Sequence, residues 1–290
     1  MLLALLKLAR PPQWLKNGII LLALIFAGEM THPKKVELAL LAIAIFCLLS
    51  SAVYTFNDLI DREKDRKHPL KKNRPIASGK VSIGTAVTVV VILCSVGLAA
   101  AWLINMNFFM IAVVFLGLNL LYTLWLKNVV IVDVMAVALS FVVRAYAGAF
   151  AIDVPASKWM LINTLLLALF LGFGKRRHEL VVLEEGAAAH RKILGKYSPY
   201  LLDQLIAVVT PSVLVMYMLY SFSTEVSLKL GTQNLFATIP FVVYGLFRYL
   251  YLIHKEEKGG SPTHVLIGDL PIMITVLLWL ITSSLVLYVL

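Results

Sequence analysis

Nine blocks of mostly apolar residues, at 16–29, 36–56, 82–104, 107–126, 129–151, 158–174, 200–223, 235–253 and 267–290, decide what this chain can fold into. A helix needs about 20 predominantly apolar residues to cross the hydrocarbon core of a bilayer. Most of the blocks meet that length; the first is shorter, with Lys16 and Asn17 at its edge. The third and fourth nearly touch, with Asn105 and Asn107 as the only polar punctuation, which predicts a tight turn. Only 14% of the 290 residues are charged and 60% are hydrophobic, whereas soluble domains carry about 25% charged residues. The fold class expected is an all-α integral membrane protein of nine transmembrane helices, forming a single domain over 1–290.

The charge pattern orients the spans. The net charge of +10 would suggest nucleic acid in a soluble protein, but here it follows from basic residues collecting on the cytoplasmic side of a membrane. Twenty of the 26 Lys and Arg fall in the N-terminal segment and the loops after even-numbered spans, eight of them between Arg62 and Lys80. Lys34, Lys35, Lys158 and Lys229 fall on the opposite side, while Arg144 and Arg248 lie within spans. This asymmetry places the N-terminus inside and the C-terminus outside, and it requires an odd number of spans. The apolar stretch before Lys7 and Arg10 is too short for a cleavable signal. Met1–Leu8 is expected to lie along the interface with Trp14 as its anchor. Cys47 and Cys94 sit in apolar runs and have no metal or disulfide spacing.

The longest inside loop begins NDLIDREKDRKHPLKKNRPIASGK, from Asn57. If the second helix continues past Phe56, Asp61, Asp65 and Asp58 lie about 40°, 80° and 100° around from Asn57. One quadrant then carries an amide and three carboxylates, with Tyr54 a turn earlier on nearly the same face. Hard oxygen ligands clustered in this way suit Mg²⁺, which takes one or two carboxylates and leaves its other positions to water and substrate phosphates. A solvated loop of mixed charge is the plain alternative, but it needs no such order. Behind the acids come Lys71, Lys72 and Arg74.

The loop after the sixth span reads GKRRHELVVLEEGAAAHRKILGKY. Lys175, Arg176 and Arg177 are expected at a helix end, where cations complement the carbonyl dipole. Glu179, four residues after Lys175, is placed for an i,i+4 pair. Within the spans, Asp133 and Arg144 are eleven residues apart and share a face, with Arg144 about 16 Å deeper. They either form a structural pair through intermediates or line a polar cavity. Asp269 either faces the same cavity or caps the last helix.

Nine spans, NDxxDxxxD after the second and a charged loop after the sixth resemble the UbiA superfamily of intramembrane prenyltransferases, which fold as one bundle with a cytosolic-side cavity open to lipid. The DxxxD motif expected after the sixth span is replaced by GKRRHEL. With RPPQWLKN (Arg10–Asn17), RPIASG (Arg74–Gly79), DVMAVALSFVVRAYAG (Asp133–Gly148) and the segment ending at Asp269, the chain is similar to the decaprenyl-phosphate phosphoribosyltransferase branch.

That resemblance implies Mg²⁺-dependent transfer of phosphoribosyl from phosphoribosyl pyrophosphate to a polyprenyl phosphate, with loss of pyrophosphate, at a plasma-membrane site facing the cytoplasm. It also implies a place in the synthesis of cell-envelope arabinan or related glycolipids. Donor and acceptor together bring three anionic groups, and a basic second motif supplies the countercharge that a second acidic motif would not. Asn57, Asp61 and Asp65 are the implied metal ligands, and Asp58 and Asp61 the catalytic carboxylates. Lys16, Tyr54, Lys71, Lys127, Arg144, Lys175 and Arg176 are the implied phosphate contacts. The competing functions are an aromatic prenyltransferase making a quinone or haem precursor, and a transporter coupled through Asp133 and Arg144. No nucleic-acid partner is expected. Homo-oligomerisation is compatible with apolar spans, which do not separate lipid-facing from subunit-facing surfaces.

Overall fold

The computed structural model describes residues 2–67, 71–183, 193–256, 260 and 262–288. Arg191, Lys192 and Lys258, all counted in the charge pattern, lie outside the described residues, as does His190. Helices make up the fold: α1 (Leu2–Ala9), α2 (Leu21–Phe26), α3 (Pro33–Ile60), α4 (Arg62–Lys67), α5 (Ile83–Ile104), α6 (Met106–Leu124) and α7 (Val132–Ala151). They continue with α8 (Lys158–Leu183), α9 (Pro199–Phe222), α10 (Thr224–Leu230), α11 (Ile239–His254), α12 (Pro262–Gly268) and α13 (Leu270–Tyr288). Among the described residues, eight helical segments are long and apolar enough to cross a membrane, and they coincide with the second to ninth apolar blocks.

The first block is the exception and corrects the count of nine full-length helices. Instead of one helix over 16–29, a 3₁₀ helix spans Pro11–Ile20 and the short α2 follows it. Pro11 and Pro12 lack backbone N–H groups and so start a helix without wasting a donor. A 3₁₀ helix rises about 2.0 Å per residue against 1.5 Å for an α-helix. Ten residues of one and six of the other therefore reach about 29 Å, close to the thickness of the hydrocarbon core. The buried side of this segment carries Asn17, Ile20, Ala23 and Leu24.

The turn expected at Asn105 is a single residue. Asn105 Oδ1 caps α6 by accepting the Phe108 N–H at 2.8 Å, and its Nδ2 donates to the Phe150 carbonyl at 2.8 Å. Ser82 caps α5 in the same way, by accepting from Thr85 N–H at 3.1 Å. Two apolar cores flank α7. One gathers Ile20, Leu24, Phe46, Leu49, Phe108 and Phe115; the other gathers Phe170, Phe173, Leu202, Tyr249 and Leu252.

Helix α7 lies at the centre, with 61% of its most apolar window buried. Its alanines and Gly148 let neighbours approach closely, which is how helices pack in lipid, where apolar burial gives no drive of its own. A Cβ on Gly148 would stand 2.2 Å from the Ile20 carbonyl oxygen. Backbone cannot rotate away as a side chain can, so Gly148→Ala must push the 3₁₀ segment off α7. Overpacking costs about 1–3 kcal/mol, and the variant is expected to melt at lower temperature; an unchanged melting curve would contradict this packing.

Candidate functional site

Helix α3 does continue past Phe56, carrying Tyr54, Asn57 and Asp58, and it ends at Ile60. Asp61 is the joint between α3 and α4, and the Asp65 N–H still bonds to the Asp61 carbonyl at 2.8 Å. The helical register therefore nearly survives the break. Asp58 and Asp65, about 20° apart in projection, are bridged by one guanidinium: Arg74 Nη1 donates to Asp58 Oδ1 at 2.9 Å and to Asp65 Oδ2 at 2.7 Å. Arg10 closes the other side, with Nη2 at 2.5 Å from Asp58 Oδ1 and its guanidinium over the Tyr54 ring at 5.3 Å.

Arg10 is aimed there by a left-handed backbone, φ 51° and ψ 59°. Such a backbone costs a non-glycine residue about 1–2 kcal/mol, and the ion pair to Asp58 and the contact with the Tyr54 ring hold it. Trp14, the expected anchor, donates to Ser51 Oγ at 3.0 Å and to the Ala9 carbonyl at 3.1 Å, tying the same segment to α3. Lys71 begins a 3₁₀ turn, Lys71–Asn73, and its carbonyl accepts the Arg74 N–H at 2.9 Å.

Asp61 differs from the other two carboxylates. Lys127, from the short 3₁₀ turn Leu126–Asn128, places Nζ 2.8 Å from both of its oxygens. Asp61 stays 18% exposed, against 3% and 6% for the Asp58 and Asp65 side chains. Among the described residues no three His, Cys, Asp or Glu side chains converge as a metal cage. The donor set at Asp61 nonetheless fits a hard divalent ion. Both carboxylate oxygens face a flexible ammonium rather than a rigid guanidinium, the Asn57 amide lies one turn earlier, and Mg²⁺ commonly takes few protein ligands.

A second group of polar side chains lies against α7. Arg144 is buried, and its pairing with Asp133 through shared intermediates is not what forms. Nε donates to Asn17 Oδ1 at 2.9 Å, and Nη1 donates to the Ser140 carbonyl and Oγ at 2.9 and 2.8 Å. The guanidinium sits over Phe115 at 4.6 Å and Phe141 at 5.4 Å, and the groups whose charge acts on it are Tyr54 and Cys47 rather than a described carboxylate. Lys16 is close enough for the charges of Arg144 and Arg10 to act on it, and Lys175 is similarly close to Lys16, with Tyr122 near both lysines.

Lys175, Arg176 and Arg177 are not at a helix end. Helix α8 runs on to Leu183, so they lie within the helix, six or more residues before its end, and do not serve as C-terminal dipole partners. The expected Lys175–Glu179 pair is present at 3.7 Å, and Arg176 Nη1 is closer to Glu179, at 2.6 Å. Asp133 takes Arg176 instead of Arg144: Arg176 Nε donates to Asp133 Oδ2 at 2.7 Å. Tyr197 completes this cluster by donating its hydroxyl to Asp133 Oδ1 at 2.7 Å. Burial, and then that donated bond, push the Tyr197 phenol above its ordinary pKa, so it remains a donor at neutral pH. Asp269 caps α13 by accepting the Ile272 N–H at 3.1 Å, and it pairs with Arg248 at 2.8 Å.

The sequence reading missed Arg10, Asn17, Ser140, Tyr122 and Tyr197 as members of this constellation. Arg10 and Asn17 did sit in the RPPQWLKN string, and Arg74 in RPIASG. Nothing in an apolar helix distinguishes Tyr122.

Eight membrane-length helices around a cluster of cations, with an acidic turn beside it, make this a polytopic membrane protein with a polar site inside its bundle. The chain belongs to the UbiA prenyltransferase family, whose model matches residues 18–267. It is 34% identical over 280 residues to the decaprenyl-phosphate phosphoribosyltransferase of Mycobacterium tuberculosis, covering 95% of this chain and 91% of the relative. To the enzyme of the same name from Mycolicibacterium smegmatis it is 31% identical over 295 residues, covering 98% and 92%. The fold is similar to that of a UbiA homologue from Archaeoglobus fulgidus bound to GPP and Mg²⁺, with a TM-score of 0.73 at 19% identity over 99% of this chain and 100% of that one. With such relatives along nearly its whole length, the chain is a transferase.

Proposed function

We propose that this transferase moves a 5-phosphoribosyl group from phosphoribosyl pyrophosphate to a polyprenyl phosphate, releasing pyrophosphate, with the site facing the cytoplasm of a plasma-membrane protein. The observation that carries the reading is the charge of α8. Lys175 and Arg176 stand where a second acidic motif would belong in an enzyme for prenyl diphosphate, Lys16 lies close to Lys175, and Arg144 lies close to Lys16 in turn. A single diphosphate needs no such excess of cations. Three phosphate groups converging in a low-dielectric cavity do, because their mutual repulsion grows as the dielectric falls.

In this reading Asp61 and Asn57 hold Mg²⁺ on the donor diphosphate. Asp58 and Asp65, which the resemblance implies as catalytic carboxylate and metal ligand, fix Arg10 and Arg74 at the edge of the site. A divalent ion bound at Asp61 would neutralise charge on the leaving pyrophosphate. Lys127, freed from Asp61, is within reach of the same phosphates, while Tyr54 and Lys71 border them. Lys16, Lys175, Arg176 and Arg144 bind and orient the remaining phosphates. The attacking atom is an oxygen of the lipid phosphate, which displaces pyrophosphate from ribose C1 with inversion. That phosphate is largely ionised near pH 7, as a monoester with second pKa about 6, so the step needs positioning more than a general base.

The test uses the full chain in lipid nanodiscs with magnesium and two donors in parallel. Ribose-labelled phosphoribosyl pyrophosphate with polyprenyl phosphate is expected to give label in the lipid extract. Labelled prenyl diphosphate with an aromatic acceptor is expected to give no prenylated ring. The reverse pattern would replace this reading with that of an aromatic prenyltransferase.

A further inference from the structure

We propose that Tyr197 and Asp133 are positioning residues that hold the Arg176 guanidinium in register for a phosphate group, through a buried hydroxyl–carboxylate–guanidinium chain. The inference deepens the phosphoribosyl-transfer reading and rests on it for the role of Arg176. Asp133 is fully buried, Arg176 is 4% exposed and Tyr197 6%. Each Asp133 oxygen is committed: Oδ1 accepts from the Tyr197 hydroxyl and Oδ2 from Arg176 Nε, both at 2.7 Å. Glu179 takes Arg176 Nη1 at 2.6 Å. The third nitrogen, Nη2, donates to no described residue. Two carboxylates therefore lock two nitrogens of the fork and leave the third for an anion, which is how a guanidinium becomes a directional phosphate donor rather than a mobile charge.

The Tyr197 hydroxyl also accepts the Ile131 N–H at 2.6 Å. Ile131 has φ 68° and ψ −46°, a conformation that is a genuine outlier for a β-branched residue and costs about 1–3 kcal/mol. The strain sits three residues from the turn that carries Lys127 and two before Asp133. One hydroxyl thus joins the segment after the short 3₁₀ turn Leu194–Lys196, the strained entry to α7 and helix α8. Neither Tyr197 nor Asp133 is placed against substrate; both act through Arg176.

The experiment is a double-mutant cycle on the full chain in nanodiscs, read by binding of inorganic pyrophosphate and by KM and kcat for transfer. Tyr197→Phe removes only the hydroxyl. It is expected to weaken pyrophosphate binding about tenfold and to raise the donor KM by a similar factor, with kcat changed less than threefold. In an Arg176→Gln background the same substitution is expected to change neither, because residues that act through one another are not additive. Additive losses in the double variant, or a Tyr197→Phe protein that melts lower but binds pyrophosphate as the wild type does, would overturn the positioning role. Asp133→Asn, which keeps the shape and one acceptor, gives a second variant should Tyr197→Phe fold poorly. Wild-type protein that binds pyrophosphate with this cycle intact but transfers no ribose would overturn the donor reading and leave the chain of contacts standing.

Discussion

Asp61→Asn is expected to lower magnesium-dependent transfer by about a thousandfold while leaving the bundle folded. Metal stabilisation of a leaving group supplies several kcal/mol, and each 1.36 kcal/mol is a factor of ten in rate. Asparagine keeps the size of Asp61 and one oxygen for the Lys127 ammonium, which now lies 2.8 Å from both carboxylate oxygens. The joint between α3 and α4 uses the Asp61 backbone rather than its side chain. The melting temperature is therefore expected to move little. Turnover within a few-fold of wild type at saturating magnesium would show that the ion, if it binds, does so elsewhere.

Arg144→Leu is expected to separate stability from activity in the opposite sense to most core substitutions. A buried charge without an opposite charge is costly, and exchanging buried ionic groups for apolar ones of similar volume is often neutral or stabilising by about 1–4 kcal/mol. The partners of Arg144 are not stranded by the change. Asn17 Oδ1 also accepts from Ser50 Oγ at 3.3 Å, and Ser140 Oγ from Asn119 Nδ2 at 3.3 Å. Leucine adds packing against Phe115 and Phe141, whose rings the guanidinium now covers. The melting temperature is expected to hold or rise, while transfer falls about a hundredfold, the loss typical when a preorganised donor to a developing or bound anion is removed. A variant that is both destabilised and fully active would make Arg144 a structural residue. This trade of stability for a waiting charge is common at functional sites.

Apolar length made most of the architecture legible. The second to ninth blocks became helices with boundaries shifted by a few residues, because a helix in lipid must satisfy its backbone internally. Two departures have local causes. Prolines at 11 and 12 start a 3₁₀ helix that carries Asn17 on its buried side, and only six α-helical residues follow it. Helix α8 ran nine residues past Gly174 because a helix leaving the membrane keeps its hydrogen bonds in water, and apolar content no longer marks where it ends.

Within the site, helical projection put Asp58 and Asp65 on one face, and a shared Arg74 occupies that face. Projection along one helix has no access to partners from elsewhere. Arg10 reaches Asp58 across 48 positions and Lys127 reaches Asp61 across 66, and such pairings leave no periodic trace. Asp133 shows the same limit: its face also carried Arg144, eleven residues on, yet its oxygens went to Arg176 and Tyr197 on neighbouring segments.

The central claim is that a metal-bearing acidic turn and a facing set of cations together bind a phosphorylated sugar diphosphate. Calorimetric titration of phosphoribosyl pyrophosphate into the purified full chain, once in magnesium and once in EDTA, tests it most directly. The account predicts saturable one-to-one binding in magnesium that weakens at least tenfold in EDTA. No binding in magnesium, or the same affinity in both buffers, would contradict it.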